Sequence, residues 1–186
     1  MSGLRRDIVG RAHGRVLELG AGTGLNLRHY RSGLEELILT EPEPGMAKRL
    51  ERRAARTATA RSRVLRVPAE ELPFAAGSFD AVVATLVFCT VADPAAALRE
   101  ARRVLRHGGQ LLFIEHVRAP AGSRLERWQR RLRSPWCAFA YGCRCDQDTM
   151  SLIEDAGFVL TDRQPGQWRA MPAIVRPLIC GQAQAA

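Results

Sequence analysis

The residues best equipped for chemistry stand early in the chain, in VLELGAGTG at residues 16–24. Three glycines spaced G-x-G-x-G follow an apolar run directly. With no Cβ in the way, such a loop lets backbone come close to a ligand. Open α/β sheets bind ligands beyond the carboxyl ends of their strands, so a nucleotide-like cofactor is expected at this loop. The dinucleotide fingerprint is G-x-G-x-x-G, and here the third glycine comes one residue early. No G-x-x-x-x-G-K-[ST] follows it. Glu18, just ahead of the first glycine, would repel a pyrophosphate and suits a cofactor with a positive end, such as an ammonium group. Glu41 ends the next apolar run, 21 residues after Gly20. An acidic side chain there can accept hydrogen bonds from both ribose hydroxyls. Pro68-Ala69-Glu70 ends a third run, where an adenine would reach. His116 follows a fifth run and could take a proton from a thiol or hydroxyl. In that role it predicts activity rising with pH through a group near about 6–7.

Strands that end at one common edge are needed to bring these residues together, and the pattern supplies them. Residues 15–19, 35–40, 63–67, 79–87 and 110–115 read as strands. A helix begins at 25–30, and another spans 44–57. A third spans 93–105, with Asp93 as N-cap and Pro94 in the first turn. His107-Gly108-Gly109 reads as its stop. Strands alternating with helices imply parallel crossover units and a sheet covered on both faces. Later, 124–133 and 148–156 read as helices, and 158–162 and 174–181 as strands forming an antiparallel pair. Pro177 within the last strand predicts an edge or a bulge. The expected fold is α/β, with seven strands, mostly parallel, closed by an antiparallel C-terminal strand. One domain is expected over residues 1–186, with a cofactor half at about 14–116 and an acceptor-lid half at about 117–186.

Composition excludes several classes. Hydrophobic residues make up 46% and charged residues 25%, which is ordinary for a globular domain and excludes a disordered chain. No apolar run is long enough to span a membrane, and MSGLRRDIVGRAHG lacks a signal-peptide core. A soluble cytoplasmic protein is the expectation. Five cysteines cannot all pair within one chain, which favours a reducing compartment. Cys143 and Cys145 form C-x-C with no second ligand pair, so no metal site is expected. The net charge is +9, and all but one (Lys48) of the 28 basic residues are arginines. They cluster at 49–66 and 124–133. Such runs read either as attraction to phosphate or as solvated helix faces.

Taken together, VLELGAGTG, Glu41, AEELPFAAGSFDAVVAT and LREARRVLRHGGQLLFIE resemble the class I S-adenosylmethionine-dependent methyltransferases of the methyltransferase type 11 kind. The resemblance runs from about Val16 to Gly181. It implies a Rossmann-like sheet and S-adenosylmethionine as cofactor, released as S-adenosylhomocysteine. It also implies that Glu18, Gly20, Ala21, Gly22, Thr23 and Gly24 line the methionine and ribose moieties. Glu41 would hold the ribose hydroxyls, while Pro42 and Met46 flank the adenine. Ala69 and Glu70 would sit at the adenine edge, and Thr85, Leu86 and Val87 would close the pocket. Pro68 stands where many relatives have Asp. TLVFCTVADP, IEHVRAP, YGCRCDQDT and IVRPLICGQA are similar to a subgroup related to the mammalian alkyl-thiol methyltransferases. Those members carry an N-terminal membrane anchor. Against them, the short stretch before Arg15 is expected to lack the anchor and most of a lid helix.

Methyl transfer from a sulfonium is an in-line displacement that needs alignment and exclusion of water more than acid–base groups. No Asn-Pro-Pro-Tyr-like motif follows the fourth strand, which argues against adenine and glutamine N-methylation. The expected acceptor is small and lipophilic, with a thiol favoured over a quinol or lipid amine and His116 as candidate base. Trp128, Trp136, Phe139 and Tyr141 fall in the expected acceptor-lid region. Two other readings use the arginines: a non-catalytic nucleic-acid-binding module, and a phospholipid methyltransferase docking peripherally on anionic membranes. Neither the acceptor atom nor an oligomeric state is encoded in a motif.

Overall fold

The computed structural model describes residues 1–57 and 61–185. The sequence expectation of one domain over 1–186 includes residues 58–60 and 186, which lie outside the described residues. The strands are β1 (Arg15–Leu19), β2 (Glu36–Thr40), β3 (Ser62–Leu65), β4 (Phe79–Thr85), β5 (Leu105–His116), β6 (Phe158–Gln167) and β7 (Pro177–Ala185). They form one sheet in the order β3-β2-β1-β4-β5-β7-β6. β1 to β5 pair in parallel, and β7 lies antiparallel between β5 and β6. The helices are α1 (Ser2–Val9), α2 (Pro44–Ala54), α3 (Pro94–Val104), α4 (Arg124–Phe139) and α5 (Thr149–Asp155).

The central strands are apolar on both sides because helices cover both faces. On one face Leu17, Leu19, Val82, Ala84, Leu111 and Phe113 pack against α3 and α5, through side chains such as Leu98 and Ile153. On the other, Val16, Leu37, Leu39, Val83, Leu112 and Ile114 pack against α1 and α2, through Ile8, Val9 and Leu50. Alternation along β1 therefore sends Glu18 to the α1/α2 face. Along β5 it sends Glu115 and His116 to opposite faces. α3 starts as its sequence suggests: Asp93 caps it by accepting from Ala96 N at 2.9 Å, and Pro94 takes the first turn.

Several local expectations fail for physical reasons. Residues 25–30 do not start a regular helix; they make a single 3-10 turn at Leu27–His29. Asn26 and Tyr30 are drawn inward to bind Glu18, and those contacts displace the helical ladder. α1 was not anticipated at all, because its short polar-rich stretch carries few apolar residues. α3 stops at Val104, before the glycines, and Leu105 already pairs with Phe79. The next aligned pair is Ala81 with Gln110, so the extra residues around Gly108-Gly109 are absorbed as a strand irregularity. α4 continues through Pro135 to Phe139. Pro177 lies neither on an edge nor at a bulge. It opens the interior strand β7 opposite Gln167, a first position that tolerates the missing N–H. The edge strands are β3 and β6.

Candidate active site

The glycine loop leaves the carboxyl end of β1 and is tied to its neighbour: Ala21 N donates to Thr40 O at 2.8 Å. Gly22 N donates to Glu41 Oε2 at 2.8 Å, and the other carboxylate oxygen accepts from Glu43 N at 3.0 Å. Glu41 is thus a buried carboxylate aimed at the loop from the end of β2, as its position in the sequence suggests. Two of the glycines are required for different reasons. Both sit at positive φ, which L side chains adopt at a cost. A Cβ on Gly24 would lie 2.8 Å from Leu27 Cδ1 and 2.9 Å from Leu50 Cδ1, so this glycine serves packing. A Cβ on Gly22 would meet nothing within 4 Å, so this glycine faces open space.

Glu18 lies beneath the loop and is part of a polar cluster absent from the sequence reading. Its Oε1 accepts from Asn26 Nδ2 at 2.9 Å and its Oε2 from the Tyr30 hydroxyl at 2.7 Å. The second Asn26 amide hydrogen reaches Thr85 Oγ1 at 3.1 Å. Arg5 of α1 donates to Asn26 Oδ1, so the N-terminal helix is wired to the site. Burial pushes the Glu18 carboxyl up to about 7, against the pull of the Tyr30 and Asn26 hydrogen bonds and of Arg5. The Tyr30 hydroxyl is held well above its usual range by burial and by Glu18.

The turn after β4 is held by a second buried carboxylate. Glu115 accepts from Val87 N at 2.8 Å, Phe88 N at 3.1 Å and Cys89 N at 3.3 Å. Burial pushes Glu115 up to about 7 as well, opposed by these three N–H groups. The turn carries a non-glycine residue at positive φ, Leu86 at 60°, a conformation costing of order 1–3 kcal/mol that surrounding contacts must sustain. Leu86 N donates to Ile114 O at 2.8 Å, and Glu115 fixes the next three residues. Thr85, Leu86 and Val87 therefore stand together beside the glycine loop, with Val87 near enough to Gly20 that a Cβ there would lie 3.1 Å from it.

The remaining sequence-predicted residues lie along the same carboxyl edge. Thr23 is partly exposed, and its carbonyl accepts from Arg53 Nη1 at 3.0 Å. Pro42 and Met46 are exposed at the start of α2, whose N-cap is Glu43. Ala69 is buried, and Glu70 accepts from Asp93 N at 3.2 Å. His116 ends β5 on the α1/α2 face, only 4% exposed. Its ring lies nearly parallel to Trp168, centroids 6.3 Å apart, and its Nδ1 has no hydrogen-bond partner. Burial brings its pKa down to about 4, against the Pro177 and Val175 backbone. The imidazole is neutral at ordinary pH, which corrects the expectation that it titrates near 6–7. Among the described residues no group of three His, Cys, Asp or Glu side chains could hold a metal. Arg5, Asn26, Tyr30, Glu115 and Trp168 escaped the sequence reading. Tyr30 read only as part of the helix expected to begin at 25–30, and Glu115 as the end of an apolar strand.

Residues 17–113 match the family model described as Methyltransferase domain. Human thiol S-methyltransferase TMT1B is 39% identical over 178 residues, covering 92% of this chain and 72% of that protein. The demethylmenaquinone methyltransferase of Thermus thermophilus is 37% identical over 112 residues, covering 59% of this chain and 50% of that one. The fold is shared with a solved SAM-dependent methyltransferase from Thermotoga maritima at a TM-score of 0.71 and 24% identity, covering 100% of this chain and 89% of that one. With the family model spanning more than half its length and a relative of 39% identity matching 92% of it, the chain belongs to the methyltransferase-domain family and is an S-adenosylmethionine-dependent methyltransferase.

Proposed function

We propose that the chain transfers a methyl group to a small lipophilic acceptor, a thiol in preference to a quinol or lipid amine. The observation that carries the reading is the match to thiol S-methyltransferases over nearly the whole chain, including the half beyond β5 where an acceptor would enter. Leu86, Val87 and Phe88 add an apolar edge beside the glycine loop. In this reading residues 14–116 hold the cofactor and 117–186 close over the acceptor within one domain.

The residues present fit the cofactor. Gly22 turns an open left-handed position toward the space that Glu41 faces. Each Glu41 oxygen has one protein donor and keeps a lone pair for a ribose hydroxyl. Bound S-adenosylmethionine supplies a methyl group on positively charged sulfur. The protein's part is alignment and exclusion of water. Gly20, Ala21, Gly22, Thr23 and Gly24 provide the backbone cradle. Glu18, its carboxyl about half ionised at neutral pH, offers the buried end of that cradle a partner for an ammonium group. Glu115 fixes Val87, and Pro42, Met46, Ala69 and Glu70 stand at the adenine side. His116, neutral and with Nδ1 unpartnered, accepts the acceptor's proton. For a thiol, the imidazole would take the S–H proton, and S-adenosylmethionine would supply the methyl group by giving up its sulfonium–CH3 bond and leaving as S-adenosylhomocysteine. A methylation screen with labelled S-adenosylmethionine across thiols, quinols, phenols and phosphatidylethanolamine tests the reading. Turnover of none of the thiols would overturn it.

A second reading concerns location. α4 carries Arg124, Arg127, Arg130 and Arg131 exposed together with exposed Trp128, and exposed Phe139 and Tyr141 lie at and just beyond its end. Arginines interleaved with aromatics suit the surface of an anionic membrane. Cytoplasmic protein docking there peripherally would meet a lipophilic acceptor where it is concentrated. No helix among the described residues is long and apolar enough to cross a membrane.

A further inference from the structure

The polar cluster beneath the glycine loop extends into α1. Ile8 and Val9 of this helix share a core with Leu27 and Tyr30, so α1 lies against the turn at Leu27–His29. Arg28 Nη2 donates to Ser2 Oγ at 3.4 Å across the same seam. From α1 the Arg5 guanidinium donates to Asn26 Oδ1. Asn26 is 1% exposed, and its amide nitrogen serves two acceptors, Glu18 Oε1 at 2.9 Å and Thr85 Oγ1 at 3.1 Å. One buried amide therefore joins the carboxylate on β1 to the last residue of β4, and its oxygen is held from the first helix.

Packing alone does not call for a guanidinium at this place. Arg5 is half-buried, its partner is a neutral amide, and among the described residues no carboxylate forms an ion pair with it. Its effect on Asn26 is specific. A guanidinium only donates and a carboxylate only accepts, so the amide between them has one satisfied orientation, oxygen to Arg5 and nitrogen to Glu18 and Thr85. Flipped, it would set N–H against N–H and oxygen against oxygen. Glu18 does not fix this sense unaided, because burial raises its carboxyl to about 7 and a protonated carboxyl can donate. Arg5 holds the amide in either state of Glu18, since a guanidinium stays charged. Its charge also favours the ionised form of Glu18.

We propose that Arg5 is a positioning residue for the amino-acid end of S-adenosylmethionine, acting through Asn26 on Glu18 and Thr85. Held by Arg5, the Asn26 amide fixes the Glu18 carboxylate beneath the glycine loop and the Thr85 hydroxyl at the start of the turn after β4. This rests on the role proposed for Glu18 as the partner of the cofactor's ammonium group. The groups proposed for ribose and adenine stand elsewhere, at the end of β2, the start of α2 and the loop after β3, and none of them bonds to Arg5 or Asn26. α1 is therefore a specificity element. Docked, it lets the site prefer a nucleoside that carries an amino acid over the same nucleoside without one.

The test is calorimetry on the full chain with two ligands. One is S-adenosylhomocysteine; the other is 5′-methylthioadenosine, which keeps adenine, ribose and sulfur and lacks the amino acid. R5M, which keeps the aliphatic stem, and R5Q as a second variant should each bind S-adenosylhomocysteine about tenfold more weakly, with thermal melts confirming that each folds. Both should bind 5′-methylthioadenosine as the parent does. N26A should show the same selectivity, and R5M/N26A should lose no more than N26A alone, as when one residue acts through the other. Folded Arg5 variants that keep S-adenosylhomocysteine at parental affinity, or that lose both ligands in equal measure, overturn the proposal. Additive losses in the double variant overturn it as well, since Arg5 would then act by another route. E18Q tests the role of Glu18 separately. It should lose S-adenosylhomocysteine selectively, and parental affinity for both ligands in E18Q overturns the ammonium-partner reading itself.

Discussion

Gly22→Val should fold and fail to bind S-adenosylhomocysteine by calorimetry, because its Cβ meets no protein atom but enters the open space where the cofactor is proposed to lie. Its left-handed backbone adds a stability cost of at least about 1–2 kcal/mol, visible as a lower melting temperature. Glu41→Ala should weaken the same binding by about 1–3 kcal/mol, the usual cost of a lost hydrogen bond to a charged group. The pH behaviour belongs to Glu18 and Glu115. Each is pushed from 4.5 up to about 7 in the folded protein. A carboxyl raised on folding lends stability that is complete below its unfolded pKa and is lost as pH rises through the folded one. Urea midpoints should therefore decline between about pH 5 and about pH 8, and Glu18→Gln should flatten the decline. His116→Ala should slow an ordinary thiol and leave an acidic thiol, already ionised, little changed. Because His116 is neutral down to about 4, the pH–rate curve should carry no histidine step and should follow the acceptor's own ionisation instead. Equal rates for variant and parent on both thiols would remove His116 from the reaction. At this scale the sequence revealed what is local. Glu18, the glycines and Glu41 betray themselves by spacing at strand ends. Glu115 binds residues 26 to 28 positions away, and that link exists only once β4 and β5 are paired. The shift at His116 depends on burial beneath Trp168, which returns from beyond β6.

Elements were legible where one face had to be apolar and one end had to be capped. β1, β4 and α3 sit within a residue or two of their expected limits for that reason. The exceptions are elements shaped by side chains of another element, as Asn26 and Tyr30 shorten the helix after the loop. α4 shows the same principle. Its run of arginines reads as a solvated face, and its only fully buried side chain is the polar Gln129. Gln129 Oε1 accepts from Ala119 N at 2.7 Å, and its Nε2 donates to Cys145 O and Ile174 O at 2.9 Å. One amide thus ties α4 to the segment after β5, to the loop before α5 and to the turn before β7. Gln129→Leu would leave those groups buried and unpaired, a cost of about 1–3 kcal/mol for each one that finds no water. Urea unfolding should show the loss, and protease cleavage near α4 should quicken.

For the molecule as a whole, the exposed charge bears on the membrane docking proposed above. Arg49, Arg52 and Arg53 lie exposed on α2 and Arg56 just beyond its end, and a second group lies exposed on α4 beside the aromatics. Flotation with anionic vesicles should retain the protein and neutral vesicles should not, with retention falling as salt rises. Trp128→Ala should weaken retention at fixed salt, since α2 carries charge without aromatics. Equal flotation on neutral and anionic vesicles would rule out docking through the arginines. A gel shift with nucleic acid at low salt would favour the alternative use of the same charge. The antiparallel β7 has a practical consequence for such experiments. Leu178 pairs with His116 at the carboxyl edge and Gln184 pairs with Gln110 near the amino edge, about 20 Å along the strand. Ala185 therefore emerges on the side of the sheet away from the glycine loop, whereas Arg5 of α1 is bonded into the site. A biosensor chip coupled through residue 185 would present the cofactor mouth to the flowing analyte, and a fluorophore or affinity tag joined at Met1 would crowd it.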